Sequence, residues 1–170
     1  MSGWPRQRDG VTCGPSVAVM AGALIDPGYG SPLKSGRPQQ WFDAEQARVH
    51  RAVNVVWPRA LGTTPAGMAR ALTEHSAARR IRYRWRRVRR RDSLTDVCAA
   101  VAAGWPVPML IGSVVPRHWV LLTELHAATL RCYEPSAGAV LDVAVDAVRN
   151  RLPARLGFPR AFAFVIPIEA

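Results

Sequence analysis

Four side chains in this 170-residue chain have the types and local settings that nucleophilic chemistry needs: Gln7, Cys13, His118 and Glu134. Cys13 lies in the stretch Gln7-Arg8-Asp9-Gly10-Val11-Thr12-Cys13-Gly14-Pro15-Ser16, directly ahead of the apolar run from Val17 to Ile25. That run has the length and composition of a buried helix. Thr12 or Cys13 falls at its N-cap and Pro15 in its first turn, where a missing N–H costs nothing. A thiol there faces the positive end of the helix dipole and N–H groups with no partner inside the helix. Both favour the thiolate, so the pKa is expected below the free value of about 8.5. Gln7 is near enough to offer its amide to an oxyanion forming beside the sulfur.

An attacking thiol needs a base, and the chain has four histidines. His118 opens the strand-like run His-Trp-Val-Leu-Leu-Thr after the loop Ser113-Val114-Val115-Pro116-Arg117. Glu134 closes a second strand-like segment at the turn Pro135-Ser136-Ala137-Gly138. Two adjacent antiparallel strands would set Glu134 beside His118, its carboxylate holding the imidazole in position. Nucleophile, base and orienter are then present together.

Gln-x-x-x-x-x-Cys-Gly-Pro opening a helix, then His-Trp-Val, then an acid-Pro-Ser-x-Gly turn, resembles the papain-like cysteine peptidases of the bacteriocin-processing, double-glycine leader type. The resemblance implies roles for four residues: Gln7 in the oxyanion hole, Cys13 as nucleophile, His118 as base and Glu134 as its orienting acid. That family usually carries Asp or Asn where this chain has Glu134, and the extra methylene moves the carboxylate by roughly a bond length. The implied fold puts the nucleophile on an N-terminal helix end, facing an antiparallel sheet that carries the base and the acid.

The remaining elements must hold these groups. Asp26 to Gln40 is rich in Pro and Gly and reads as a connection, either a cleft wall or a loop. Short helices are expected from Trp41 to Val49 and after Thr63-Thr64-Pro65, the latter with Met68, Ala69 and Leu72 on one face. Asp92-Ser93 should cap a helix running to about Ala103, ended by Gly104. Val107 to Ile111, Ala139 to Val143 and Ala161 to Ile168 read as strands, with a brief helix from Asp146 to Arg151. A helical N-terminal half with mostly strands packed on it makes an α+β arrangement. The length suits one domain spanning 1–170 rather than two.

Three cysteines argue against a disulfide framework, and Cys98 and Cys132 read as packed helix and strand positions. Neither has partners at zinc-binding spacing, so no metal or other cofactor is expected. The N-terminus lacks an apolar signal core and no run is long enough to cross a bilayer. A cytoplasmic protein, or one delivered by a specialised secretion system, is the expected class.

The net charge is +11, and all basic residues but Lys34 are arginine. Nine arginines fall between Arg79 and Arg91. Arg80, Arg82, Arg84 and Arg86 share one parity, while Ile81, Tyr83 and Trp85 share the other. Period two reads as a strand with its arginines in water and its aromatics in the core. Such a face attracts an acidic partner, phosphate or an anionic surface. Aromatics turned inward are not stacking platforms, which argues against nucleic acid.

The expected function is a cysteine peptidase acting on a protein or peptide, as a processing enzyme or a bacterial effector. Acyl transfer and deamidation use the same residues with a different second nucleophile. From another class comes a non-catalytic binding module that uses the arginine strand on a papain-like scaffold.

Overall fold

The computed structural model describes residues 4–10, 12–53 and 63–169. Val11 of the opening motif and the first three residues lie outside them. Five α-helices and six strands are described. They are α1 (Cys13–Ile25), α2 (Pro38–Val53), α3 (Pro65–Ser76), β1 (Ile81–Arg87), α4 (Thr95–Ala102), β2 (Val107–Gly112), β3 (Pro116–His126), β4 (Thr129–Glu134), β5 (Ala139–Ala144), α5 (Val145–Arg149) and β6 (Arg160–Glu169). The strands form one sheet in the order β1-β6-β2-β3-β4-β5, with every neighbouring pair antiparallel.

Both faces of this sheet are covered. Trp119 and Leu121 of β3 pack with α1, α2 and α3, together with Tyr83, Leu110, Tyr133 and Val165. Val120 and Leu122 turn the other way, into a core shared with α4, α5, Met109, Ile111, Cys132, Phe164 and Ile166. Double burial is why β2 and the middle of β3 read as unbroken apolar runs rather than alternating ones. The expected α+β arrangement is the one found, with α4 and α5 adding a second layer on the sheet's other face. Helix α1 is apolar nearly all round and correspondingly buried from Cys13 to Gly22. Among the described residues, no helix is long and apolar enough to cross a membrane.

The elements end for local reasons. Thr64 caps α3, its Oγ1 accepting the Gly67 N–H at 3.1 Å, and Pro65 follows at the first helical position. Helix α4 closes on Gly104 at φ +81°, with the Gly104 N–H on Val101 O at 3.0 Å and the Trp105 N–H on Ala100 O at 2.9 Å, a Schellman motif. The connection after α1 is anchored: Asp26 Oδ1 accepts the Gly28 and Tyr29 N–H groups, and Tyr29 donates its hydroxyl to Glu45 on α2.

The arginine stretch departs from its expected pattern in three places. Arg80 precedes β1, in the left-handed region at φ 55°. Trp85, expected in the core, is 42 % exposed. Arg86, expected in water, is only partly exposed and is held by two carboxylates. Its Nε and a terminal nitrogen contact Asp96 at 2.6 Å, and its other nitrogen contacts Asp92 at 2.6 Å. The physical cause is the second helical layer, which covers the Arg86 end of the strand's charged face. Asp92 consequently does not cap α4. It accepts the Arg89 and Leu94 N–H groups and shapes the turn, while Leu94 stands at the N-cap with φ 56°.

Candidate active site

Cys13 is the first residue of α1, and the helix's first internal bond runs from the Ser16 N–H to Thr12 O at 2.9 Å. The N–H groups of Cys13 and Gly14 therefore have no acceptor within the helix, and Pro15 has no N–H to satisfy. The Thr12 hydroxyl turns back to Asp9, donating to Asp9 O at 3.1 Å and accepting the Asp9 N–H at 3.1 Å, rather than capping α1. Gly14 is required by packing: a Cβ there would run into the Thr63 side chain and press on Trp119. Trp119 in turn donates its indole N–H to Thr63 O at 2.9 Å, which ties β3 to the entry of α3 directly over the nucleophile turn.

Strands β3 and β4 bring His118 and Glu134 together. The imidazole Nε2 lies 2.7 Å from Glu134 Oε1, and both residues are buried. The Cys13 side chain lies close enough to His118 to act on its charge. Glu134 is fully occupied: Oε1 also accepts the Ser136 N–H at 2.9 Å, and Oε2 accepts the Ala137 N–H at 2.8 Å. Burial by itself would raise this carboxyl's pKa, but the bonds from His118, Ser136 and Ala137 outweigh it and bring it down to about 2. Burial would likewise lower the pKa of His118, yet Cys13 and Glu134 beside it carry it up to about 9. At neutral pH the pair is carboxylate and imidazolium.

Gln7 sits against the acid's turn. Its backbone N–H donates to Pro135 O at 2.8 Å, its Oε1 accepts from the Ser136 hydroxyl at 3.3 Å, and its Nε2 donates to Asp9 O at 2.7 Å. The flanking segment is stitched to the same turn. Arg6 donates two N–H groups to Ser136 O, and Tyr133 donates its hydroxyl to Pro5 O at 2.7 Å. Gly138, at φ 63°, lies where any Cβ would overlap Trp4 O and the Arg6 side chain.

A set of residues absent from the sequence reading fixes this segment from α2. Gln46 is fully buried, and its Oε1 accepts both the Ser16 hydroxyl at 2.8 Å and the Arg8 N–H at 3.0 Å. Gln39 exchanges two bonds with the Arg6 backbone. Asp43 Oδ1 joins the two amides, at 2.8 Å to Gln39 and 3.3 Å to Gln46. The signal in the sequence was a polar stripe at i, i+4 and i+7 on a helix. It is legible as one face, though not as to what it would hold. Among the described residues no three His, Cys, Asp or Glu side chains gather as a metal site.

No family model and no curated protein matches this sequence. Solved structures do match its shape. The peptidase domain of Streptococcus ComA, a bifunctional ABC transporter of a quorum-sensing pathway, superposes with a TM-score of 0.54 at 15% identity, over 99% of this chain and 100% of that one. A double-glycine motif protease from an AMS/PCAT transporter, solved with its leader peptide, gives 0.50 at 11% identity over 98% and 91%. At such identities the likeness speaks for architecture. This protein, with an N-terminal helix that begins at Cys13 set against a six-stranded antiparallel sheet, shares the overall fold of those peptidase domains.

Proposed function

We propose that this protein is a thiol-dependent amide hydrolase, a cysteine peptidase acting on a protein or peptide. In this reading Cys13 is the nucleophile, His118 its base and acid, and Glu134 the group that orients His118. Gln7 and the Cys13 N–H are the oxyanion donors. The single observation that carries the reading is the relay at the start of α1. A saturated carboxylate holds Nε2 of a buried imidazole at 2.7 Å, which leaves Nδ1 as the nitrogen for the neighbouring thiol.

The chemistry follows from that geometry. With a pKa of about 9, His118 carries its proton at neutral pH and is a counter-charge for a thiolate. The sulfur attacks the amide carbonyl carbon, and the π pair moves onto oxygen. As the C–N bond breaks, His118 gives its proton to the leaving nitrogen. Neutral His118 then takes a proton from water, the resulting hydroxide attacks the thioester, and Cys13 leaves as thiolate with the acid product released. One Gln7 amide N–H is engaged by Asp9 O and the second remains for the oxyanion. Losing one such donor typically costs about 2.7–4 kcal/mol. The other two thiols are poorly set for this role, since burial pushes both Cys98 and Cys132 up. A peptide substrate is supported by the leader-peptide complex of the second structural neighbour.

Iodoacetamide labelling across pH, read by mass spectrometry, and a peptide-library digest with a Cys13→Ala control test the proposal together. Cys13 should alkylate first, and the cleavage products should disappear in the variant, a fall of more than about 10³-fold. Faster labelling of Cys98 or Cys132 in the folded protein overturns the nucleophile. Cleavage that survives the substitution overturns the reaction.

A further inference from the structure

Strand β1 is a sheet edge, and α3 covers only part of it. At one end the helix satisfies the strand with its own hydroxyls. Thr73 Oγ1 accepts the Tyr83 N–H at 2.9 Å, and Ser76 donates to Ile81 O at 2.8 Å. Such capping removes a template for unwanted pairing. Farther along, the helix presents Ala69 and Ala66, which are too small to reach the strand. There a groove of about 660 Å³ opens between the two elements.

The backbone of β1 faces into that opening. Its register with β6 runs unbroken from Ile81 to Arg87, so successive N–H groups alternate inward and outward. Tyr83 donates outward to Thr73, while Val88 donates inward to Phe162 O at 2.9 Å. Trp85 shares the parity of Tyr83, so its N–H and C=O point to the outer edge, and its side chain also lines the groove. Arg70 stands on the same side, while Arg82 and Arg84 rim the groove with side chains directed to the other face of β1, against the single carboxylate of Glu74. Among the described residues none of these three arginines is ion-paired, in contrast to Arg86.

We propose that this groove docks an extended acidic segment of a partner protein. The segment adds to the edge of β1 at Trp85 and sets its carboxylates against Arg70, Arg82 and Arg84, a case of strand addition with charge complementarity. An outward-facing amide and carbonyl suit a peptide backbone, whereas single-stranded nucleic acid calls for successive stacking platforms, and one exposed tryptophan is a single step. The surface is separate from the Cys13 chemistry, because β6 and β2 lie between β1 and the strand carrying His118.

Fluorescence anisotropy of a labelled peptide of alternating Glu and Val, with the full chain at low salt, tests this. The peptide should bind while its Lys-Val counterpart does not. The double variant Arg82→Glu/Arg84→Glu should weaken binding by more than about tenfold. Ala66→Trp, which fills the groove at an exposed helix position and leaves the charge unchanged, should weaken it comparably. Thermal melts followed by circular dichroism establish that each variant is folded, and Arg70→Glu serves if the double variant is not. Full binding by folded Ala66→Trp would reduce the interaction to loose charge attraction and overturn the proposal. So would a single-stranded oligonucleotide or a phosphatidylserine vesicle that binds more tightly than the peptide and loses binding in the same variants.

Discussion

Two charged clusters among the described residues bring charge out of water, one round His118 and one round Arg86, and they are finished differently. Around Arg86 every donor is used: its five N–H groups meet Asp92 twice, Asp96 twice and Arg87 O once. The guanidinium also lies over the Phe164 ring, 5.1 Å from its centroid. Around His118 the carboxylate accepts three hydrogen bonds, and the imidazole is left open, since only its Nε2 is committed, to Glu134. Both clusters bear the cost of desolvating charge. The closed one holds β1, its turn and α4 in register. The open one leaves an imidazole edge unpaired beside the start of α1.

The comparison can be broken most severely at Arg86. Arg86→Met leaves Asp92 buried without its counter-charge and should destabilise the fold by about 3 kcal/mol, the lower end for a broken buried pair because Asp96 is 42% exposed. Urea denaturation measures this, and adding Asp92→Asn with Asp96→Asn should recover part of the loss. Turnover per folded molecule should not change. A catalytic defect in folded Arg86→Met would mean that the closed cluster also serves the chemistry.

At the open cluster the expected effect is smaller in stability and larger in rate. Glu134→Ala should lower kcat more than about tenfold, a loss above 1.4 kcal/mol, with KM little changed. Glu134→Gln keeps an acceptor for Nε2 but turns its NH₂ toward the Ala137 N–H, so kcat should fall less while thermal stability still drops. Glu134→Asp shortens the side chain on a backbone fitted to Glu and should be partly active. If all three keep full kcat, the orienter lies elsewhere.

The smallest effect is a pH dependence of stability. The His118 pKa is raised from 6.5 to about 9, so its contribution is complete below 6.5 and lost as pH rises through 9. The Glu134 pKa is lowered from 4.5 to about 2, so its contribution is complete above 4.5 and lost as pH falls through 2. Both are therefore complete only between 4.5 and 6.5. The difference in Tm between wild type and His118→Gln should be greatest in that window and shrink steadily from pH 6.5 to 9. A flat difference would mean that the imidazole is neutral in the folded protein.

How much of this was legible in the sequence depended on whether the signal was local. The Cys13 helix was, because an apolar run behind Thr-Cys-Gly-Pro specifies its own start. The approach of His118 to Glu134 was, because β3 and β4 are neighbours in the chain and pair as a hairpin. The fates of Trp85 and Arg86 were not. Their alternation says which residues share a face, but which face is dry depends on α4, an element that follows them. Asp92 was misread for a related reason: a residue placed to cap a helix found a guanidinium, a stronger partner. Gln46 escaped notice because a buried amide looks like any surface glutamine until both its donors arrive from elsewhere, from Ser16 and Arg8.

The stitching of Arg6 to Ser136 spans 130 residues, and β6, the last strand, lies between β1 and β2. A ribosome makes these partners far apart in time. While the chain is emerging, β2 to β5 can pair as a local meander, but the segment bearing Gln7 has to wait for the turn bearing Glu134. The centre of the sheet closes only when residues 160–169 arrive. Such non-local closure is slow compared with hairpin formation. Cys13 thus emerges long before the rest of its surroundings, and its thiol gains them only once residues 160–169 have been made.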